Sequence, residues 1–220
     1  MSEVSRRRYD ATRRREQAAR TRARIVEVSG RLFVERGYAG TTIPAIAAEA
    51  GVAVETVYRS ASGKAGLLAE AVRAAVAGGV ERAEIPVPER GAIRRIAAET
   101  DPIRLMRLYA ATQPGIWSRV GPLLRVLDTA AGSDASLVEL REHIAGERRN
   151  GLRDGFGRML ERRGVLRTGM TAERAGDIVY AVCGQANYVA LVGECGWTEA
   201  AYEAWLTETL VSALLAPSAE

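Results

Sequence analysis

The stretch TTIPAIAAEAGVAVETVYRSASGK, Thr41 to Lys64, decides how this 220-residue chain is read. Thr42 reads as an N-cap, its hydroxyl placed to accept a free N–H of the following turn. Pro44 falls in that first turn, where a missing N–H costs little. Ile43, Ile46, Ala47 and Ala50 then recur at i, i+3, i+4 and i+7, the stripe of a short amphipathic helix. Gly51-Val52 turns the chain, and Val54 to Ser60 offers a further helix with Val57 pointing inward. Glu55, Thr56, Tyr58 and Arg59 are left to face outward. Two short helices about a tight glycine turn are the geometry that sets a helix into a DNA major groove.

Working outward, Arg20 to Gly37 carries Ile25, Val28, Leu32 and Phe33 at helical spacing, and Gly37 supplies a stop. Three helices this short cannot stand alone, so they must share one small core. The charge is local. Residues 1–82 hold fifteen basic against nine acidic side chains, a net of +6, whereas residues 83–220 carry a net of −2. Arg6-Arg7-Arg8 and Arg13-Arg14-Arg15 have little apolar company. Residues 1–20 are therefore read as a basic arm, expected to be disordered in the absence of nucleic acid. Such an arm before a helix-turn-helix adds salt-dependent phosphate attraction.

Residues 21–72 resemble the DNA-binding domain of TetR-type transcriptional regulators. The run that carries the likeness is Arg24-Ile25, Leu32-Phe33, Gly37-Tyr38, Thr41-Thr42-Ile43, Ile46-Ala47, Ala50-Gly51-Val52, Thr56-Val57-Tyr58-Arg59, Lys64 and Leu67-Leu68. The resemblance implies a homodimer that binds a double-stranded DNA operator and releases it when a small-molecule effector binds. It also implies that Thr42, Thr56, Tyr58 and Lys64 lie against phosphates. Residues 53–60, among them Val54, Glu55, Arg59 and Ser60, would face base edges. Lys64 is the single lysine in a chain of 30 arginines and stands at the start of the fourth helix. An ammonium beside a helix N-terminus suits a phosphate. Two departures weaken the pattern. Ser60-Ala61 stand where the family usually carries an aromatic or His followed by Phe, and Ala53 replaces the capping Ser or Thr of the reading helix. An uncapped start costs about 1 kcal/mol. A helical protein-interaction module that has lost operator binding is the alternative these departures motivate.

The expected fold is all-α: an N-terminal three-helix helix-turn-helix domain joined to a larger helical ligand-binding and dimerisation domain. Residues 21–82 form the first with its connecting helix, and residues 83–220 the second. Ile85-Pro86-Val87-Pro88 reads as an extended connector between them. Helices are expected at about 89–99, 102–112, 115–131, 134–163, 171–194 and 198–215. Tyr202, Leu206, Leu210 and Leu214 recur every four residues. Val182, Ala186, Val189, Ala190 and Gly193 add small side chains that permit close helix approach. Burial within one chain and a four-helix bundle across a two-fold axis both fit. The family resemblance favours the bundle.

Large and polar side chains scattered through apolar helices could build an effector pocket: Met106, Tyr109, Gln113, Trp117, Phe156, Met159, Gln185 and Tyr188, with Arg125, His143 and Asn187 as further candidates. His143, beside Glu142 and Glu147, reads as solvated. Catalysis has little to draw on. One histidine and two cysteines, Cys183 and Cys195, make a poor metal site, and no cofactor is expected. No Gly-x-Ser-x-Gly elbow occurs, and Ser62-Gly63-Lys64-Ala65 lacks the residues of a phosphate-cradling loop. No secretory leader and no membrane-crossing run is seen, so a cytoplasmic location is expected.

Overall fold

The computed structural model describes residues 3–216, with side chains from residue 13 onward. Its helices, in order, are α1 (Glu3–Gly40), α2 (Ile43–Ala50), α3 (Val54–Ser60), α4 (Gly63–Ala77), α5 (Val80–Ala83), α6 (Gly91–Ala98), α7 (Pro102–Ala110), α8 (Gln113–Ala131), α9 (Ala135–Gly151), α10 (Arg158–Arg162), α11 (Ala172–Val182), α12 (Gln185–Tyr188) and α13 (Glu199–Leu214). Among the described residues no strand forms; one isolated bridge joins Leu166 to Leu215. The all-α expectation holds.

The chain packs as two compact units. The first comprises the chain up to Glu84 together with Pro122–Leu137; the second comprises Ile85–Gly121 and the chain from Val138 on. Assigning all of 83–220 to one domain was therefore too simple. The segment 122–137 belongs with the N-terminal helices, a long-range packing that no local signal announces.

In the first unit, Ile25, Leu32 and Phe33 of α1, Ile46 of α2, Val57 of α3 and Leu67 and Leu68 of α4 are all at most 1% exposed. Each large side chain buried this way contributes about 1.5–3 kcal/mol. That shared core is what lets seven- and eight-residue helices persist. Gly37 breaks α1 with φ 70° and ψ 173°, a conformation other residues rarely adopt. The arm departs from expectation. Residues 13–20 are helical with exposed side chains, in keeping with the strong helix propensity of Arg, Gln, Glu and Ala.

The second unit gathers Ile96, Leu105, Met106, Leu160, Val179, Tyr202, Leu206, Leu210 and Leu214 into one core. Side-chain caps start its helices: Asp101 accepts from Arg104 N at 2.8 Å, Thr171 from Arg174 N at 3.3 Å and Thr198 from Ala201 N at 3.1 Å. Two π-turns interrupt the regular helix, Leu152–Gly157 after α9 and Val189–Glu194 after α12. The expected helix 171–194 is also broken at Gly184, whose backbone is extended. Gly157 and Gly176 let α11 cross the first π-turn in backbone contact. A Cβ on Gly157 would meet the Ala172 carbonyl oxygen at 2.1 Å, and one on Gly176 would meet Arg153 Cα at 2.6 Å. Arg153 locks the crossing by donating from Nε and Nη2 to the two Asp177 oxygens at 2.7 and 2.9 Å.

Candidate nucleic-acid interface and small-molecule site

Local chemistry sets the helix-turn-helix geometry. Thr42 accepts from Ala45 N at 3.2 Å, as an N-cap should. Gly51 ends α2 in the left-handed conformation, φ 66°, and Val52 N donates to Ala47 O at 3.0 Å. Thr41, fully buried, adds a clamp that sequence reading missed. Its Oγ1 lies 2.8 Å from Gly37 O and 3.0 Å from Leu32 O, tying the end of α1 to the start of the turn.

In α3, Val57 is 1% exposed and Tyr58 is 60% exposed. One anchor thus turns the other face of the helix outward. Glu55 and Arg59 are exposed, and Val54, Thr56 and Ser60 are half-buried. Arg59 Nη2 donates to Thr56 Oγ1 at 3.3 Å, and Ser60 Oγ donates to Val57 O at 2.8 Å. Ala53 makes no side-chain cap. Lys64 Nζ donates to Tyr38 O at 2.9 Å and sits 4.1 Å above the Tyr38 ring. Asp134 shares this neighbourhood. Hydrogen bonds from Ser136 hold its carboxyl below the usual range, and the Lys64 charge adds to the effect. Much of the local basic excess is neutralised within the unit. Arg31 and Arg36 pair with Glu49, and Arg22 pairs with Glu70 and Glu84 at 3.0 Å. Hydrogen bonding to Arg31 in turn holds the Glu49 carboxyl low.

In the second unit, part of the proposed effector set comes together. The Tyr109 and Phe156 rings pack at 4.5 Å, with Phe156 supplied by the first π-turn. Gln113 Nε2 donates to Thr112 Oγ1 at 2.9 Å, and burial raises the Tyr109 phenol well above its ordinary range. Trp117 is 6% exposed and Met159 packs beside the core. Other members are committed elsewhere. Met106 has no exposed surface, Gln185 donates to Gly121 O at 3.2 Å, and Tyr188 donates to Glu199 while meeting Tyr202 edge-on. Arg125 falls in the first unit, Asn187 donates to Val182 O at 2.8 Å, and His143 is solvated beside Glu147. Arg148 was missed, because it sits in a charge-dense helix that gives no signal. Its guanidinium donates to Tyr180 O and Cys183 O at 3.1 and 2.8 Å. It also lies 4.5 Å from the Tyr180 ring and 5.2 Å from that of Trp117. Burial pushes the Cys183 thiol up to about 12.

The dimer assignment needs one correction. Tyr202, Leu206, Leu210 and Leu214 are 0% exposed within the single chain, where they pack against α7 and α11. A spacing of four marks the apolar face of a helix and leaves open what covers it. Ala186 and Gly193 are exposed, and Val182, Val189 and Ala190 are half-buried. Among the described residues no group of three His, Cys, Asp or Glu side chains could hold a metal, and no helix is long and apolar enough to cross a membrane.

Residues 25–71 match the family model described as bacterial regulatory proteins, tetR family. Solved structures of the same fold cover most of the chain. A TetR-family transcriptional regulator from Mesorhizobium loti is 19% identical, with 90% of this chain and 98% of that one aligned at a TM-score of 0.67. NalD of Pseudomonas aeruginosa, described as the secondary repressor of a multidrug efflux pump, is 20% identical over 90% and 98% at 0.66. FadR of Bacillus subtilis, solved with stearoyl-CoA, is 18% identical over 86% and 97% at 0.64. Compared by sequence with curated proteins, the chain finds no match.

Proposed function

We propose that this chain, which matches the tetR-family model over residues 25–71 and shares its fold with solved TetR-family regulators, is a dimeric transcriptional repressor. It holds a palindromic operator and releases it when a small molecule binds the second unit. The observation that carries the reading is α3 itself: Val57 buried at 1% beneath Tyr58 exposed at 60%, on a helix framed by a capped α2 and a left-handed Gly51. Val54, Glu55, Tyr58, Arg59 and Ser60 are then offered to base edges, and Thr42, Thr56, Lys64 and the Tyr58 hydroxyl to phosphates.

NalD is a repressor and FadR was solved with an acyl-CoA, which favours repression and an apolar or amphipathic effector here. Such an effector acts only through different affinities for the two states of the protein. Dimerisation uses the exposed Ala186 and Gly193 of α12 and its π-turn, with the half-buried Val182, Val189 and Ala190 beside them. The protein acts in the cytoplasm, where operator DNA lies, without enzyme chemistry.

A second reading, a protein-interaction module without operator binding, draws on two observations. Ser60 spends its hydroxyl on Val57 O, and Lys64 is engaged by Tyr38. Footprinting on the genomic region around the chain's own coding sequence decides between them. Protection of a discrete palindrome supports the repressor. Uniform weak protection, or none, supports the module.

A further inference from the structure

Two buried donors in the second unit have no partner. Trp117 Nε1 and Tyr202 Oη are shielded from solvent and make no hydrogen bond, and the parent residues are 6% and 0% exposed. Leaving such groups unpaired destabilises the fold, so each signals a position where an acceptor belongs. Arg148 joins them. Its guanidinium lies 5.2 Å from the Trp117 ring centroid and reaches the carbonyl of Cys183, a residue of the same core as Tyr109, Phe156 and Tyr202. It caps the end of α11 through two carbonyls and, among the described residues, forms no salt bridge with a carboxylate. A guanidinium carries five N–H donors and no acceptor. The neighbourhood is therefore rich in donors and positive charge and poor in acceptors. The Tyr109–Phe156 pair, 4.5 Å apart and tilted by 35°, adds two aromatic faces in the same core. Phe156 comes from a π-turn, a distortion often found where helices form functional sites.

We propose that Trp117, Arg148 and Tyr202 form the polar end of the effector site, which takes a planar aromatic molecule bearing an oxygen acceptor, a carboxylate or phenolate. The inference rests on the reading of the second unit as effector-binding. The ring lies along Tyr109 and Phe156, and the oxygen accepts from the indole N–H and the phenol. Arg148 supplies the complementary charge. Selection runs against cations, which would face Arg148 with no carboxylate to receive them.

The test is calorimetric titration of the full-length chain with 2-naphthoate, 2-naphthol and 2-naphthylmethylammonium. The two oxygen-bearing probes are expected to bind, and the ammonium to bind weaker than 2-naphthoate by about tenfold or more. Trp117→Phe and Tyr202→Phe each delete one donor and keep a ring. Each should lower 2-naphthoate affinity about fivefold or more. Thermal melts without probe establish that both variants are folded, and Tyr202→Phe should melt no lower than the parent, since the hydroxyl it loses has no partner. Equal affinity for the ammonium and the carboxylate, or parent affinity in both folded variants, overturns the inference. No DNA enters this readout. A chain that binds 2-naphthoate but no operator therefore contradicts the repressor reading alone. One that binds its operator but prefers the ammonium contradicts only the ligand class.

Discussion

Lys64 Nζ donates to the Tyr38 carbonyl oxygen at 2.9 Å and lies 4.1 Å above the centroid of the same residue's ring. One ammonium thus fastens the start of α4 to the last turn of α1, beside the loop that enters α2. The carbonyl it uses also receives Thr41 N at 3.2 Å. An ammonium has further N–H groups, so the tie to Tyr38 leaves the proposed phosphate contact open.

Lys64→Met keeps the aliphatic stem and removes the charge. Operator affinity is expected to fall about tenfold, and the slope of log affinity against log salt to become shallower by about one. Affinity for an unrelated duplex should fall in proportion. Anisotropy titrations over a range of salt concentrations measure both.

Thr41→Val conserves shape and deletes the hydroxyl that bridges Gly37 O and Leu32 O. The site is buried, and the two carbonyls lose a donor that water cannot easily replace. Stability should drop by about 1–2 kcal/mol, read as a lower urea midpoint with an unchanged slope.

Gly157→Ala and Gly176→Ala force a methyl into backbone atoms across the α11 crossing. Each is expected to destabilise by about 3 kcal/mol or more, since backbone yields less readily than a side chain. Gly155→Ala, two residues from the first and with open space around its Cβ, should be neutral or stabilising by up to about 1 kcal/mol. Thermal denaturation of the three variants tests the contrast.

The Arg153–Asp177 pair gives a pH signature. Hydrogen bonding from Arg153 holds the Asp177 carboxyl below its ordinary value of 3.8. A depressed folded-state pKa stabilises above the unfolded value, and that contribution is lost as pH falls through the folded one. The parent should therefore melt above Asp177→Asn at neutral pH, with the gap closing only below pH 3.8. A gap that widens on acidification would contradict the pairing.

Ala186→Arg places a long charged side chain on the exposed face of α12. If that face pairs two copies, sedimentation should show a monomer, and operator affinity should fall on the order of a hundredfold as the second half-site is lost. Leu206→Ala, by contrast, should lower stability by about 2–5 kcal/mol and leave the folded fraction dimeric.

Much of the helix-turn-helix was legible because its determinants are local. The Thr42 cap, the Gly51 turn and the Val57 anchor each depend on residues within one helical turn. Features that failed depend on contacts distant in sequence. Tyr202 and its companions announce an apolar face, but only the packed chain shows α7 and α11 covering it. Gly157 and Gly176 look like helix weaknesses until the crossing brings them against backbone. Arg148, Arg22 and Arg31 read as ordinary surface charges, because each has a partner 18–62 residues away that no local pattern shows. Among the residues expected to line an effector pocket, Tyr109 and Phe156 pack ring against ring. Gln185 and Tyr188 proved tied to neighbours of their own.

The central claim is that α3 reads base sequence, and it is tested most directly by comparing affinities for the footprinted palindrome and a scrambled duplex of equal length. The account predicts that the parent prefers the palindrome by at least about a thousandfold. It also predicts that Tyr58→Ala loses most of that preference while staying folded. Equal affinity of the parent for both duplexes at every salt concentration would contradict it.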